Sequence, residues 1–122
     1  MLSGFRRTII CWLVVMCTGL SVALAGDVSV KGYLIDGACV ARKAHKAHAL
    51  AAHSRGCLQM PACSASGYGV LSDDGQFIRF DEHGNQMARK LIKDTAKETG
   101  IKITVSGTVD GGKIAVSKIE LQ

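Results

Sequence analysis

The stretch IKITVSGTVDGGKIAVSKIEL, residues 101–121, predicts two β-strands joined by a turn at Asp110-Gly111-Gly112. In its first half, apolar residues recur at alternate positions, which is the period of a strand with one buried face. These residues are Ile101, Ile103, Val105 and Val109. The stretch therefore predicts a hairpin that presents one face to a core.

The second strand of this hairpin changes face part of the way along. Ile114 and Val116 share one parity, whereas Ile119 and Leu121 share the other. A β-bulge adds one residue to a strand and so restores the apolar side chains to a single face. We therefore predict a bulge near Ser117-Lys118.

Alternation and turn residues predict three further strands. One lies in VSVKGYLIDG, residues 28–37, where Val28, Val30, Gly32 and Leu34 fall on one face. Residues 67–81 predict a hairpin around Asp74-Gly75, with Leu71 opposite Ile78.

Two segments favour helices. Residues 40–54 are rich in Ala and contain neither Gly nor Pro, so they predict a helix that ends before Gly56. A second helix is predicted over residues 86–98, with Asn85 as N-cap and Gly100 beyond its C-terminus.

The order strand, helix, strand, strand, helix, strand, strand indicates a mainly β chain with two helices, of the α+β class. Five short strands are suited to a small, strongly bent barrel of the OB type, which has a helix between its third and fourth strands. The 86–98 helix takes that position, and the 40–54 helix is then an insertion between strands one and two.

The first 25 residues have the pattern of a cleaved secretory signal peptide. Arg6 and Arg7 precede an apolar run over residues 8–20, and Ala23-Leu24-Ala25 is a small-x-small cleavage site. We expect a single OB-like domain over residues 26–122, exported to the periplasm or secreted. Its net charge falls from +5 to +3 once the two arginines are removed, so no polyanionic partner is implied.

Three segments resemble the small exported OB-like (OB-fold) proteins of bacteria. They are VKGYLIDGAC at 30–39, HSRGCLQMPACSASGYGV at 53–70 and ITVSGTVDGGKIAVSKIEL at 103–121. The resemblance spans nearly all of residues 26–122. It implies the fold and carries over no activity.

Soft ligand atoms are concentrated around HSRGCLQMPACSASG, residues 53–67. Thiolate and thioether sulfur suit Cu(I), and Cys combined with His suits Zn. We predict a soft-metal site with these ligands: Cys39, His53, Cys57, Met60 and Cys63. The spacing His53-x3-Cys57-x5-Cys63 is not that of a standard zinc finger.

A disulfide is the alternative for the same cysteines. Any pair among Cys39, Cys57 and Cys63 could form it, and the third cysteine would keep a free thiol. A staple of this kind stabilises a small exported domain by roughly 2–4 kcal/mol. The protein would then be a disulfide-stabilised interaction module, or a thiol-redox protein if the third sulfur attacked the bridge.

The sequence lacks the features that are typical of enzymes and of nucleic-acid-binding proteins. No nucleophile motif or phosphate-binding glycine loop is present, so we expect no enzyme activity. Few aromatic residues and the predicted export make nucleic acid an unexpected partner. His45 and His48 share a helix side with several cations, which repel a divalent ion. The remaining partners are an unknown protein or a small ligand, and Zn or Cu is the expected cofactor.

Overall fold

Five strands form one sheet that closes on itself. The computed structural model describes residues 26–41 and 50–122. Its strands are β1 (Asp27–Asp36), β2 (Tyr68–Ser72), β3 (Phe77–Phe80), β4 (Lys102–Asp110) and β5 (Lys113–Leu121). Their order around the ring is β1-β2-β3-β5-β4, and β4 pairs back onto β1. Neighbours are antiparallel except β3 and β5, which are parallel. The prediction of a mainly β chain with helices is confirmed.

The first strand closes the ring because it pairs with neighbours on both sides. Its C-terminal half pairs with β2 and its N-terminal half pairs with β4. Gly32 belongs to both ladders, opposite Ser72 and Ile103. A side chain at Gly32 would overlap the Leu71 carbonyl, so glycine permits the close approach of strands at this bend.

The predicted bulge is present in the last hairpin. Ser106 pairs with Lys118, and the next residue, Gly107, pairs with Val116. Ser117 is therefore the extra residue, and the apolar positions on its two sides are brought to one face.

The predicted register of the β2–β3 hairpin is wrong by one residue. Val70, rather than Leu71, lies opposite Ile78, and Leu71 pairs with Phe77. Ser72 accepts from the Gly75 N–H and also donates its own N–H to the Gln76 carbonyl. The link is therefore longer than the predicted two-residue turn, and its length shifts the register.

The described ranges contain more helices than the two predicted. They are α1 (Gly37–Ala41), α2 (Arg55–Leu58), α3 (Pro61–Ala65) and α4 (Glu82–Asp94). Most of the predicted 40–54 helix falls on residues 42–49, which lie outside the described residues. Its predicted end is wrong, because Ser54 forms an isolated bridge with Thr99 and then caps α2.

The long helix α4 begins and ends earlier than predicted. Asp81 is its N-cap, since its side chain accepts the Gly84 N–H at 2.8 Å. Asn85 lies inside the helix, and its side-chain oxygen accepts the Tyr68 N–H. The helix stops at Thr95, so Gly100 is not its terminator.

Apolar side chains form two separate clusters. The larger one, which we call the ring core, lies between the sheet and α4. Its buried members are Leu34, Leu58, Tyr68, Val70, Phe80, Ala88, Ile92, Ile101, Ile103, Val105, Ile114 and Val116. The smaller one, which we call the cysteine end, contains Ile35, Cys39, Leu50, Cys63 and Leu71, with Cys57 packed against it. No helix in residues 26–41 and 50–122 is long and apolar enough to cross a membrane.

Candidate metal centre

The candidate site lies at the cysteine end, where β1 finishes and the short helices begin. Four side chains from separate parts of the chain converge there: Asp36, Cys39, His53 and Cys57. One possible ligand atom from each of them lies within 4.8 Å of all the others. Such a group is close enough to hold one metal ion.

Asp36 is the last residue of β1 and is 0 % exposed. Its backbone pairs with Tyr68 in β2, which fixes the start of the side chain. One carboxylate oxygen, Oδ1, accepts the Cys39 N–H at 2.9 Å. This bond turns the chain from β1 into α1 and leaves Oδ2 directed elsewhere.

Cys39 lies in α1 and is buried in the cysteine end. The Gly37 N–H donates to the Gly67 carbonyl, and the Ala38 N–H donates to Ser66 Oγ. These bonds hold the start of α1 against the end of α3. A five-residue helix is marginal alone, so its position depends on such contacts.

His53 is held by the loop between α4 and β4. Its carbonyl accepts the Gly100 N–H at 3.0 Å, and the neighbouring Arg55 N–H donates to the Glu98 carbonyl at 2.8 Å. Gly100 has φ +57°, and a side chain there would press on the Ala51 carbonyl. Glycine is therefore required where the His53 segment meets this loop.

Cys57 lies in the first turn of α2. Ser54 is the N-cap of this helix, and its hydroxyl accepts the Cys57 N–H at 2.9 Å. The Arg55 side chain donates to the Glu98 carboxylate at 2.8 Å and to the Thr95 carbonyl at 3.3 Å. The cap and these contacts fix where the Cys57 sulfur lies.

The ligand atoms form two close pairs. The sulfurs of Cys39 and Cys57 are 3.7 Å apart, and His53 Nε2 is 3.5 Å from Asp36 Oδ2. The nitrogen and the carboxylate oxygen are both buried, yet neither has a hydrogen-bond partner among the described residues. The His53 side chain is 11 % exposed, so little water reaches this pair.

Burial of a polar atom without a hydrogen bond costs free energy. The Asp36 carboxylate oxygen loses its hydration, and the imidazole nitrogen of His53, 3.5 Å away, faces it. Together with the two sulfurs, these atoms are close enough to hold a metal ion.

A third thiol, Cys63 of α3, lies beside the other two. It is 3 % exposed and packs in the same apolar cluster as Cys39 and Cys57. Pro61 at the N-terminus of α3 and the bond from Ser66 Oγ to the Cys63 carbonyl fix this helix. The cysteine end thus contains three cysteines in one apolar cluster.

Burial disfavours the thiolate form of two of these cysteines. Desolvation, followed by hydrogen bonding to Asp36, raises the pKa of Cys39. Desolvation, followed by the charge of Asp36, raises the pKa of Cys63. Both shifts favour the protonated thiol, so a metal that binds Cys39 must displace its proton.

Most of the predicted ligands meet at this site. Cys39, His53 and Cys57 are part of the four-residue group, and Cys63 is adjacent to it. Met60 is 54 % exposed at the N-cap of α3 and belongs to neither apolar cluster. His45 and His48 lie outside the described residues.

Asp36 was missed by the sequence-based prediction. An aspartate just before a glycine is usually part of a turn, and nothing in the sequence marks this one as buried. The available signal was its position three residues before Cys39, which places the two side chains together when a helix starts there.

The cysteines at this site are free. Cys39, Cys57 and Cys63 form no disulfide with one another, so the predicted alternative of a staple is not present in the described residues. The 3.7 Å between the sulfurs of Cys39 and Cys57 is well beyond the bond length of about 2.05 Å in a disulfide.

Comparison with known proteins finds no matching family model, no similar curated protein and no similar solved structure. The class of protein is therefore defined by the fold and the site themselves. It is a mainly β domain on a closed five-stranded sheet, with a buried Asp/Cys/His/Cys cluster near enough to hold a metal ion.

Proposed function

We propose that this protein is an exported, non-catalytic zinc-binding protein with an OB-type fold. The proposed ligands are Asp36, Cys39, His53 and Cys57. The observation that carries the proposal is that Asp36 Oδ2 and His53 Nε2 are buried without a hydrogen bond and lie beside two thiol sulfurs.

The spacing of the ligand atoms supports a tetrahedral ion. With Zn–S bonds of about 2.3 Å, two sulfurs on a regular tetrahedron lie about 3.8 Å apart. The sulfurs of Cys39 and Cys57 are 3.7 Å apart. With Zn–N and Zn–O bonds of about 2.0–2.1 Å, the corresponding N–O distance is about 3.3–3.4 Å. His53 Nε2 and Asp36 Oδ2 are 3.5 Å apart.

The ligand types support zinc over the common hard cations. Ca²⁺ and Mg²⁺ take oxygen ligands, and the latter keeps several waters. Two sulfurs, one imidazole nitrogen and one carboxylate oxygen form instead a set that suits Zn²⁺.

The number and burial of the ligands support a non-catalytic role. Catalytic zinc sites use three protein ligands and keep one position for water or substrate, whereas structural sites use four. Four protein ligands converge here, and Asp36 is fully buried. Zinc in this site would tie the end of β1 to α1, α2 and the segment around His53.

The OB-type assignment is supported by the order of the strands. A five-stranded closed sheet with a helix between the third and fourth strands is the expected arrangement, and α4 lies between β3 and β4. The fold alone specifies no ligand, so the proposed function depends on the site.

Export and zinc binding are mutually consistent. Thiols in an oxidising compartment tend to form disulfides. Coordination of Cys39 and Cys57 by zinc would keep both sulfurs occupied and reduced.

A thiol-redox protein is the second candidate, because the close sulfurs of Cys39 and Cys57 could be bridged after a small movement. Reactive cysteines are exposed and have a lowered pKa. Cys39 is buried and its pKa is raised, which favours the metal site.

The test is native mass spectrometry of the protein exported by its own leader and purified without chelator. We expect a chain that begins at Gly26, holds one zinc and has three reduced thiols. A metal-free chain lighter by two hydrogens would overturn the zinc proposal in favour of a disulfide. A chain that retains residues 1–25 would overturn the export proposal.

Matched variants sharpen this test. His53→Gln should reduce zinc uptake strongly, whereas His83→Gln, at an exposed position in α4, should leave it unchanged. Asp36→Asn keeps Oδ1 as acceptor for Cys39 and removes the charge that faces the ion. Equal zinc uptake by His53→Gln and His83→Gln would remove His53 from the ligand set.

A further inference from the structure

Two of the proposed zinc ligands are close enough to be joined to each other by a covalent bond. The sulfurs of Cys39 and Cys57 are 3.7 Å apart, and closing a gap of about 1.6 Å would bring them to disulfide bond length. Cys57 lies in α2, which has four residues. A helix of this length is held by its contacts rather than by its own backbone bonds, so a small shift of α2 is sufficient.

The two sulfurs differ in how easily a molecule from solvent reaches them. Cys39 is 8 % exposed and belongs to the buried part of the cysteine end. Cys57 is half-buried and packs against that cluster, next to the exposed Gly56. Among the described residues beyond α2 itself, only the Ser54 hydroxyl lies within 4 Å of where a Cβ of Gly56 would be. A reagent from solvent therefore reaches Cys57 before Cys39.

The proposed zinc would also supply the form of cysteine that reacts with a disulfide. A thiolate, rather than a thiol, attacks a disulfide sulfur. A thiol that coordinates zinc is deprotonated. Zinc in the site would therefore hold Cys57 as a thiolate beside a second thiolate, that of Cys39.

A bond between these two sulfurs would remove half of the ligands of the ion. Cysteine binds zinc as the thiolate, and a disulfide sulfur carries no thiolate charge. Only Asp36 and His53 of the four-residue group would remain, whereas zinc sites use three or four protein ligands. Zinc and a Cys39–Cys57 disulfide would therefore exclude each other.

We propose that Cys57 is a site of thiol–disulfide exchange with low-molecular-weight disulfides, and that closure of a Cys39–Cys57 bridge releases the zinc. This proposal rests on the proposed zinc site and adds control of zinc release to it.

The exchange takes place in two steps and is balanced. The Cys57 thiolate attacks one sulfur of a disulfide RSSR, so that a mixed disulfide forms, the S–S bond of RSSR breaks and one RS⁻ leaves. The Cys39 thiolate then attacks the Cys57 sulfur, and the second RS⁻ leaves. Two protein thiolates are oxidised, RSSR is reduced to two RS⁻, and Zn²⁺ passes into the solvent.

The experiment treats the zinc-loaded, exported chain with oxidised glutathione, without oxygen, so that glutathione disulfide is the only oxidant. A chromogenic zinc indicator follows the release of zinc, and mass spectrometry follows the protein. We expect zinc to be released as the chain becomes lighter by two hydrogens, with no glutathione attached at the end. Reduction with a dithiol should restore zinc binding.

Variants assign the roles of the cysteines in metal-free protein, where the loss of a zinc ligand has no effect. Cys39→Ala should accumulate about tenfold or more of a glutathione adduct, located on Cys57 alone, because the second step is blocked. Cys39→Ser should give the same adduct, which separates this result from a packing effect of alanine. Cys57→Ser should react about tenfold or more slowly, since the remaining thiols are buried.

Cys63→Ala is the matched control. It removes a buried thiol of the same apolar cluster and keeps both sulfurs of the proposed bridge. The rate of zinc release should therefore change by less than about twofold.

The possible failures are distinguishable. If the zinc-loaded wild type keeps its zinc and three reduced thiols while the metal-free chain is oxidised, release by exchange is overturned and zinc binding stands. If Cys57→Ser reacts as fast as the wild type, or if Cys39→Ala accumulates no adduct, the assigned roles are overturned. A reduced wild-type chain that takes up no zinc overturns the proposed function, whereas the adducts of the metal-free variants still report exchange at Cys57 separately.

Discussion

The ring core and the cysteine end are stabilised in different ways. The ring core buries twelve residues, nearly all apolar, and eight of them lie in strands that pair around a closed ring. The cysteine end buries five, and its two buried cysteines lie in helices of five residues. Its conformation depends on side-chain caps from Asp36 and Ser54 and on a cluster of ligand atoms.

This difference indicates what the proposed ion would contribute to a small domain. Apolar burial and backbone pairing hold the ring core. At the cysteine end the proposed cation would offset the cost of burying the Asp36 carboxylate. The two regions should therefore respond differently to metal removal, to core truncation and to loss of the hydrogen bond from Tyr68 to α2.

The largest effect is expected from removal of zinc. Amides of α1, α2 and α3 should lose protection from hydrogen exchange when a chelator is added, whereas those of β4 should keep theirs. An ion at about 1,000 times its dissociation constant stabilises the folded state by about 4 kcal/mol, and this contribution is lost.

Hydrogen exchange followed by mass spectrometry, with and without chelator, checks this. Equal loss of protection in β4 and in the short helices would mean that the two regions unfold as one unit. No change in either region would mean that zinc is not part of the folded structure.

Truncation of the ring core should give the next largest effect, on the other region. Ile103→Ala removes a fully buried side chain and should lower the free energy of unfolding by about 2–5 kcal/mol. Zinc affinity should change little, because Ile103 is not part of the cysteine end.

Urea unfolding and zinc competition measure both quantities on one sample. Lys113→Ala, at an exposed position of β5, is the control and should be nearly neutral. A large loss of zinc affinity in Ile103→Ala would show that the two regions are strongly coupled.

The sequence predicts these two regions unequally. Alternation at Ile101, Ile103 and Val105 and the bulge beyond Val116 are visible because strand period and parity are local properties. The β2–β3 register is not visible in the sequence, since it depends on where the turn after Ser72 closes.

At the cysteine end, the residue types were predictable and the geometry was not. Soft ligands near His53 and Cys57 are recognisable by their chemistry. Asp36 and Cys39 come to the same point only because a strand ends and a helix starts there, and Ser54 was assigned to the wrong helix. Short helices with few residues between caps have little periodicity to detect.

The hydrogen bond from Tyr68 to α2, the helix that also contains Cys57, should give a moderate effect. Tyr68 belongs to the ring core, and its hydroxyl donates to the Leu58 carbonyl of α2 at 2.6 Å. Tyr68→Phe should cost about 0.5–1.5 kcal/mol, because the bond is lost and the buried carbonyl loses a partner.

In Tyr68→Phe, the amides of α2 should lose more protection from hydrogen exchange than those of β2. Tyr33→Phe is the control, since Tyr33 is half-buried and its ring lies under the Lys102 ammonium. An equal increase in the exchange rates of the α2 and β2 amides in Tyr68→Phe would mean that the Tyr68 hydroxyl does not stabilise α2 specifically.

The smallest effect is expected far from the metal site, in the β2–β3 turn. Asp74 accepts hydrogen bonds from the Ser72 hydroxyl and from the Gln76 N–H, and the former lowers the pKa of Asp74 below 3.8. A carboxyl with a lowered pKa stabilises the fold above its unfolded pKa, and this contribution is lost as the pH falls through its folded value. Asp74→Asn should therefore reduce Tm at neutral pH by less than Tyr68→Phe does, and the reduction should disappear as the pH falls through the folded pKa of Asp74.

Asp73→Asn is the matched control, because it makes the same charge change one residue earlier. Both variants should be compared as metal-free protein, since acid also releases zinc from thiolates and imidazole. A lower Tm for Asp74→Asn than for Asp73→Asn at neutral pH, with equal values in acid, isolates the hydrogen bonds of Asp74. Equal values throughout would mean that these bonds add nothing to stability.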